Sequence, residues 1–331
     1  MKTEHLIVPV LGLTLVLCGC TSLARHHSKL MMDAADLENV TATVSIDLGW
    51  SYGTGPRLEL SKDDLDKLRT VKRGRGRFRV EGPASHASLI DDLGRIGATT
   101  LFQTEKELGV ESKLEQTIVL VPIAEEPWPS SFATTFEVPP NTLTVPVLFD
   151  ERVRTLPDFL KNENLVTNGA VGHEYFEVSL MSGSGNLRIA VDTEVELRSN
   201  VTVRGKSWTR WYRDGFASWA AGVWLENLAT AAAVPPNERP EIMFKEGTER
   251  SLAKVGGRLF RWSQFATGDT EPFYEASLGL FDALERDFGR DRIRDWNLAI
   301  AKSTNEFKTR DELFNAAEEV FGEDLRKYVT R

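Results

Sequence analysis

The patterning of this chain predicts an α+β fold, with strands gathered in the first half and helices in the second. Two observations carry that reading. Alternating or β-branched runs, "RFRVEG" at 77–82, "QTIVLVPI" at 116–123 and "NTLTVPVLFD" at 141–150, all precede residue 151. Beyond residue 207 the apolar residues recur at helical spacing instead, over about 207–230, 271–287, 289–302 and 310–328. At 331 residues, 41% hydrophobic and 27% charged, the chain is long enough to bury one large core or two ordinary ones.

The elements follow in chain order. "MKTEHLIVPVLGLTLVLCGC" carries an apolar run from Leu6 to Leu17, too short to span a bilayer and of the length of a signal-peptide core. Its end, Leu17-Cys18-Gly19-Cys20, resembles the lipobox of bacterial lipoproteins. That resemblance implies cleavage after residue 19, fatty acylation (palmitate among the acyl groups) at Cys20, and membrane attachment through the lipid. Thr21 rather than Asp follows the cysteine, which implies an outer-membrane lipoprotein facing the periplasm. An ordinary secretory signal is the alternative. Cys18 and Cys20 are the only cysteines, so the mature chain is expected to form no internal disulfide.

Residues 20–37 read as a polar tether, and the adjacent His26 and His27 within it as solvent-exposed rather than ligating. Residues 38–74 read as a β-rich extension. It holds an alternating strand in "VTATVSIDL" at 40–48 and a short helix opening at "SKDD", with Ser61 as its cap. The basic stretch "KRGRGRFR" from Lys72 to Arg79 reads as a solvated hairpin rather than a polyanion contact. With a net charge of −9, nucleic acid is not an expected partner. From Ser85, Leu89, Leu93, Ile96, Leu101 and Leu108 predict one long helix stopped by Gly109, in spite of Gly94 and Gly97. Pro146 places the 141–150 strand at a sheet edge. The segment "SGSGNLRIAVDTEVELRSNVTVRG" reads as a hairpin or irregular excursion. Thr309 and Glu312 stand at capping-box spacing before the last helix.

The chemistry concentrates in "AVGHEYFEVSL". Positions four apart lie on one face of a helix, which lets two histidines of an H-E-x-x-H motif grip one metal while the glutamate serves as base. Here His173 and Glu174 keep their places, and Glu177 stands at the second histidine.

With "WTRWYRDGFASWAAG" downstream, the pattern resembles the gluzincin metallopeptidases, the peptidase-MA-like and aminopeptidase-N-like zincins. In that family a later W-x-x-E-G-x-A helix supplies the third zinc ligand. Trp211-Tyr212-Arg213-Asp214-Gly215-Phe216-Ala217 matches it, with Asp214 for the glutamate. "FYEASLGLFDALERDFGRDRI" and "TRDELFNAAEEVFGEDLRKYV" are similar to its later helices, so the resemblance covers about residues 75–331.

The resemblance implies a zincin-like domain over 75–331, with the sheet and active-site helix in 75–182 and the helical subdomain in 207–331. It also implies a divalent metal, zinc before others, on His173, Glu177 and Asp214. Glu174 would be the catalytic base, and Tyr274 the stabiliser of the oxyanion, with Tyr212 a weaker candidate. One imidazole and two carboxylates make a harder, more anionic site than the family's. His86, the one other histidine beyond the tether, reads as a solvated or capping residue. Trp208, Trp211, Trp219 and Phe216 read as core. Two functions stay open. One is a membrane-anchored metallohydrolase acting on a peptide or protein. The other is a catalytically inactive pseudo-peptidase serving as a periplasmic binding or structural module.

Overall fold

A computed structural model describes residues 44–47, 57–60, 62–123, 142–161, 170–181, 185–190, 208–239, 245–262, 271–305 and 307–329. The expectations for Cys20, the tether with His26 and His27, Ser61 and most of the 182–205 excursion lie outside these residues.

Four strands form one mixed sheet in the order β3 (Val71–Arg75), β4 (Phe78–Gly82), β5 (Glu115–Ile123) and β6 (Thr142–Asp150). The basic stretch is the antiparallel β3–β4 hairpin, while β4–β5 and β5–β6 run parallel. Lys72 and Arg73 are exposed and pair with Glu81 and Asp91, as a solvated hairpin requires. The expected boundary between residues 74 and 75 falls inside this hairpin. Ile118 to Val121 in β5 are buried without alternation, because the strand is paired on both sides and covered on both faces. Pro146 sits in β6, which is indeed an edge strand among the described residues. β1 (Val44–Asp47) and β2 (Arg57–Leu60) form a separate two-stranded sheet, followed by α1 (Lys62–Leu68).

The predicted long helix exists, with an internal irregularity. α2 (Ala87–Asp92) and α3 (Ala98–Leu108) are joined without a break by a π turn, Leu93–Gly97, and Gly109 ends the run at φ 68°. The two interior glycines mark the π turn because the helix there presses on the hairpin. A Cβ on Gly94 would lie 3.0 Å from Arg73 Cβ, and one on Gly97 3.2 Å from the Phe78 ring.

His86, expected to be solvated or capping, stands at the N-cap position of α2 without a side-chain cap bond, and it is not solvated. It is 2% exposed, with Ser85 Oγ 2.9 Å from Nδ1 and the Glu151 carbonyl 3.1 Å from Nε2. Burial pushes its pKa down, helped by the neighbouring Arg154 guanidinium. Its partners Ser85, Glu151 and Arg154 include none of the residues grouped with His173.

The short α4 (Leu156–Leu160) leads to the motif helix α5 (Ala170–Met181) and then to α6 (Arg210–Ala231), α7 (Lys245–Val255), α8 (Glu271–Phe288), α9 (Arg290–Ala301) and α10 (Arg310–Phe321). The C-terminal part is thus mostly helical. The stretch expected as helix to 328 ends at Phe321, with a 3-10 turn at Leu325–Val329. No described helix is long and apolar enough to cross a membrane.

α6 is the central element. Its buried residues run unbroken from Arg210 to Ala221. It meets α5 where a Cβ on Gly172 would come within 2.9 Å of Ala221 Cβ, and α8 where one on Gly215 would come within 2.7 Å of the Ser277 carbonyl. Trp224 Nε1 donates to Thr100 Oγ1 at 3.1 Å, fixing α6 to α3. Trp211, Phe216 and Trp219 are core as expected. Trp208 is a correction. It lies before the helix with φ 44°, half-buried under the Arg310 guanidinium, and does not share the helical stripe.

Candidate metal centre

α5 and α6 bring the two sequence motifs together. His173 and Glu177 are one turn apart on α5, and their partner Asp214 is in the first turns of α6. All three are buried, at 7%, 1% and 0% exposure. A nitrogen of His173 and one carboxylate oxygen each from Glu177 and Asp214 lie within 4.8 Å of one another. That spacing admits one ion between them, so this group could hold a metal.

Each of the three side chains has a protein neighbour beside one of its polar atoms. Ser218 Oγ lies 3.0 Å from His173 Nδ1, leaving Nε2 on the side of Glu177, 3.5 Å from Oε2. Arg213 Nη1 lies 3.6 Å from Glu177 Oε1, and Arg210 Nε donates to Asp214 Oδ2 at 3.1 Å. The other oxygens, Glu177 Oε2 and Asp214 Oδ1, are buried without a hydrogen-bond partner, as is Glu174 Oε2. Three such acceptors in one place are costly unless a cation or protons serve them.

The electrostatics agree. For His173 burial alone would lower the pKa, but the bond to Glu177 and the charges of Glu177, Glu174 and Asp214 outweigh it and push it up to about 9. Burial, together with the Glu177 charge, pushes Glu174 up to about 8. Burial would also raise Glu177, yet His173, Arg213 and Arg210 hold it below the usual carboxylate range. Burial and the Glu177 charge raise Asp214 against the pull of both arginines. Three carboxylates facing two guanidiniums leave an excess of negative charge that protons fill when no metal does.

Tyr274 joins the cluster through Arg210, whose Nη2 donates to the phenol oxygen and whose guanidinium lies over the Trp262 ring at 4.2 Å. Tyr212 does not join it. It is fully buried and spends its hydroxyl on Asn297 Oδ1. Tyr175, between the motif residues, faces away, donating to Glu105 and accepting from Arg77.

Arg210, Arg213 and Ser218 are the members that sequence reasoning passed over. A signal existed, since Arg210, Asp214 and Ser218 recur every fourth residue and form a polar stripe on an otherwise apolar helix. No protein-family model matches the chain, and no curated protein matches it.

Proposed function

We propose that this chain is a metal-dependent hydrolase of peptide bonds, held at the bacterial envelope through lipidated Cys20. His173, Glu177 and Asp214 hold the ion. What supports this reading above all is the division of labour at each of the three side chains, one atom fixed by a protein partner and another turned to common buried space. That is how metal ligands are oriented by the groups behind them. The gluzincin-like order of the two motifs and their meeting across α5 and α6 support a zincin-like fold and a peptide substrate.

A bound divalent ion supplies Lewis acidity, polarising a carbonyl and acidifying water. Glu174 carries the proton. Its Oε2 is shielded and has no hydrogen-bond partner, so it is placed to accept and return a proton. Tyr274, whose phenol oxygen accepts a hydrogen bond from Arg210, is the group assigned to the developing oxyanion. Arg210 keeps that phenol in register with Asp214.

One observation favours the inactive pseudo-peptidase instead. Arg210 and Arg213 already give the carboxylates positive charge without any metal. Metal content of the purified protein, combined with casein turnover by Glu174→Gln, separates the two. The hydrolase reading expects stoichiometric metal in both forms and a loss of turnover by about 10²–10⁴-fold in the variant. A metal-free protein, or turnover indifferent to the substitution, would sink it.

A further inference from the structure

Glu177 stands where the resembled motif has a neutral imidazole, so the ligand set carries one more negative charge. Beside it the structure puts a cation that the sequence motif does not call for. The Arg213 side chain is 1% exposed, with Nη1 3.6 Å from Glu177 Oε1. The geometry points to a compensated exchange. We propose that Arg213, supported by Arg210, is a positioning residue that offsets the extra ligand charge and so sets how tightly the site takes a divalent cation. This rests on the reading that His173, Glu177 and Asp214 bind a metal.

The chemistry of the two side chains suits that role. A guanidinium does not shed its proton when buried, so the counter-charge is permanent where a lysine or histidine could neutralise. Arg210 donates to Asp214 Oδ2, Arg213 stands as an ion-pair partner 3.6 Å from Glu177 Oε1, and Asp214 Oδ1 and Glu177 Oε2 have no hydrogen bond, Glu177 Oε2 facing His173 Nε2 at 3.5 Å. The arginines therefore bias the site without filling it. Arg210 is held in place from behind by Tyr274 and by the Trp262 face, so its charge cannot swing away from Asp214. Asp214 is a methylene shorter than the family's glutamate, and the 3.1 Å bond from Arg210 fixes where its carboxylate can reach.

The consequence concerns the obvious repair. Replacing Glu177 by histidine restores the resembled motif but removes the carboxylate with which the buried Arg213 pairs, leaving its positive charge beside the site without that counter-charge. Repair therefore needs both changes.

The test is the Zn²⁺ affinity of the purified full chain, measured by competition with a chromogenic chelator at fixed pH, after thermal unfolding has shown which variants fold. R213Q keeps an N–H for Oε1 and deletes the charge, and is expected to bind Zn²⁺ about tenfold tighter or more. R213K keeps the charge and is expected to stay near the parent. E177H alone should bind no tighter than the parent, and E177H/R213N should bind tighter than both. This second pair carries the test if R213Q does not fold. An arginine that merely braces the fold would lower thermal stability and leave affinity unchanged or weaker in R213Q. That result, or E177H binding as tightly as the double variant, overturns the proposal. If the parent takes up no Zn²⁺ while R213Q does, the hydrolase reading falls and the charge role stands. If neither takes it up, both fall.

Discussion

Ser218 shows how much of a candidate metal site can rest on a residue with no chemistry of its own. Its hydroxyl meets His173 Nδ1 at 3.0 Å, which selects the ring nitrogen left for a ligand role. Ser218→Ala is expected to weaken metal binding about 10–100-fold with little loss of fold stability. Equilibrium dialysis of both proteins against graded zinc checks this. Tyr274→Phe is expected to cut turnover while leaving metal content unchanged, read from kcat and from elemental analysis of the same sample. At this scale the sequence made the pairing of His173 with Glu177 legible because helical spacing is a local property, whereas Glu174 and Asp214 were picked out only through their places in motifs resembling a known family's. It hid the role of His86, whose burial depends on Glu151 and Phe149, far along the chain. It likewise hid that Arg213 faces Glu177, a pairing made only when α5 and α6 cross.

Helices here approach through glycine, and the closeness is what aligns the two halves of the site. A methyl group at Gly215 would lie 2.7 Å from the Ser277 carbonyl, closer than side chains come, so α6 and α8 must part. Gly215→Ala is expected to cost roughly 1–3 kcal/mol, seen as a lower denaturant midpoint at unchanged slope. It should also loosen the link from Asp214 through Arg210 to Tyr274. The last helix offers a pH test. Burial would raise the Glu312 pKa, but bonds from the Ser303 hydroxyl, the Thr309 amide and the Asn305 side chain pull it from 4.5 to about 2. A carboxylate depressed in the folded state stabilises fully above its unfolded pKa and loses that contribution as pH falls. The parent should therefore lose stability relative to Glu312→Gln between about pH 4.5 and 2, followed by denaturation midpoints across that window. α7 escaped the sequence reading for a physical reason. Its buried face is Thr248, Ser251, Leu252 and Val255, and two of the four are polar, so no apolar period announces it. The strands were legible because β-branched runs report burial directly, and the π turn was legible only as two unwelcome glycines.

Across the whole molecule the sheet-bearing and helical parts share one hydrophobic core, with residues from Phe78 in β4 to Trp296 in α9 in the same cluster. The α+β order was therefore visible as a change of period along the chain. The joining of the two parts was not, because it depends on side chains such as Trp224 reaching Thr100 from more than a hundred residues away. If a metal sits between α5 and α6, removing it with a chelator should lower the thermal midpoint, and excess zinc should restore it. A calorimetric scan of the treated and reconstituted protein reads this directly. α6 adds a consequence for how the molecule comes into being. A helix buried on every side along its first three turns keeps only its internal contacts, such as Arg210 with Asp214, until the surrounding elements cover it. Its amides should exchange with solvent only through opening of the entire structure. The three-residue group therefore exists only once α5 and α6 have met, and a partly opened chain keeps no more of it than the His173–Glu177 pair on α5 and the Arg210–Asp214 pair on α6.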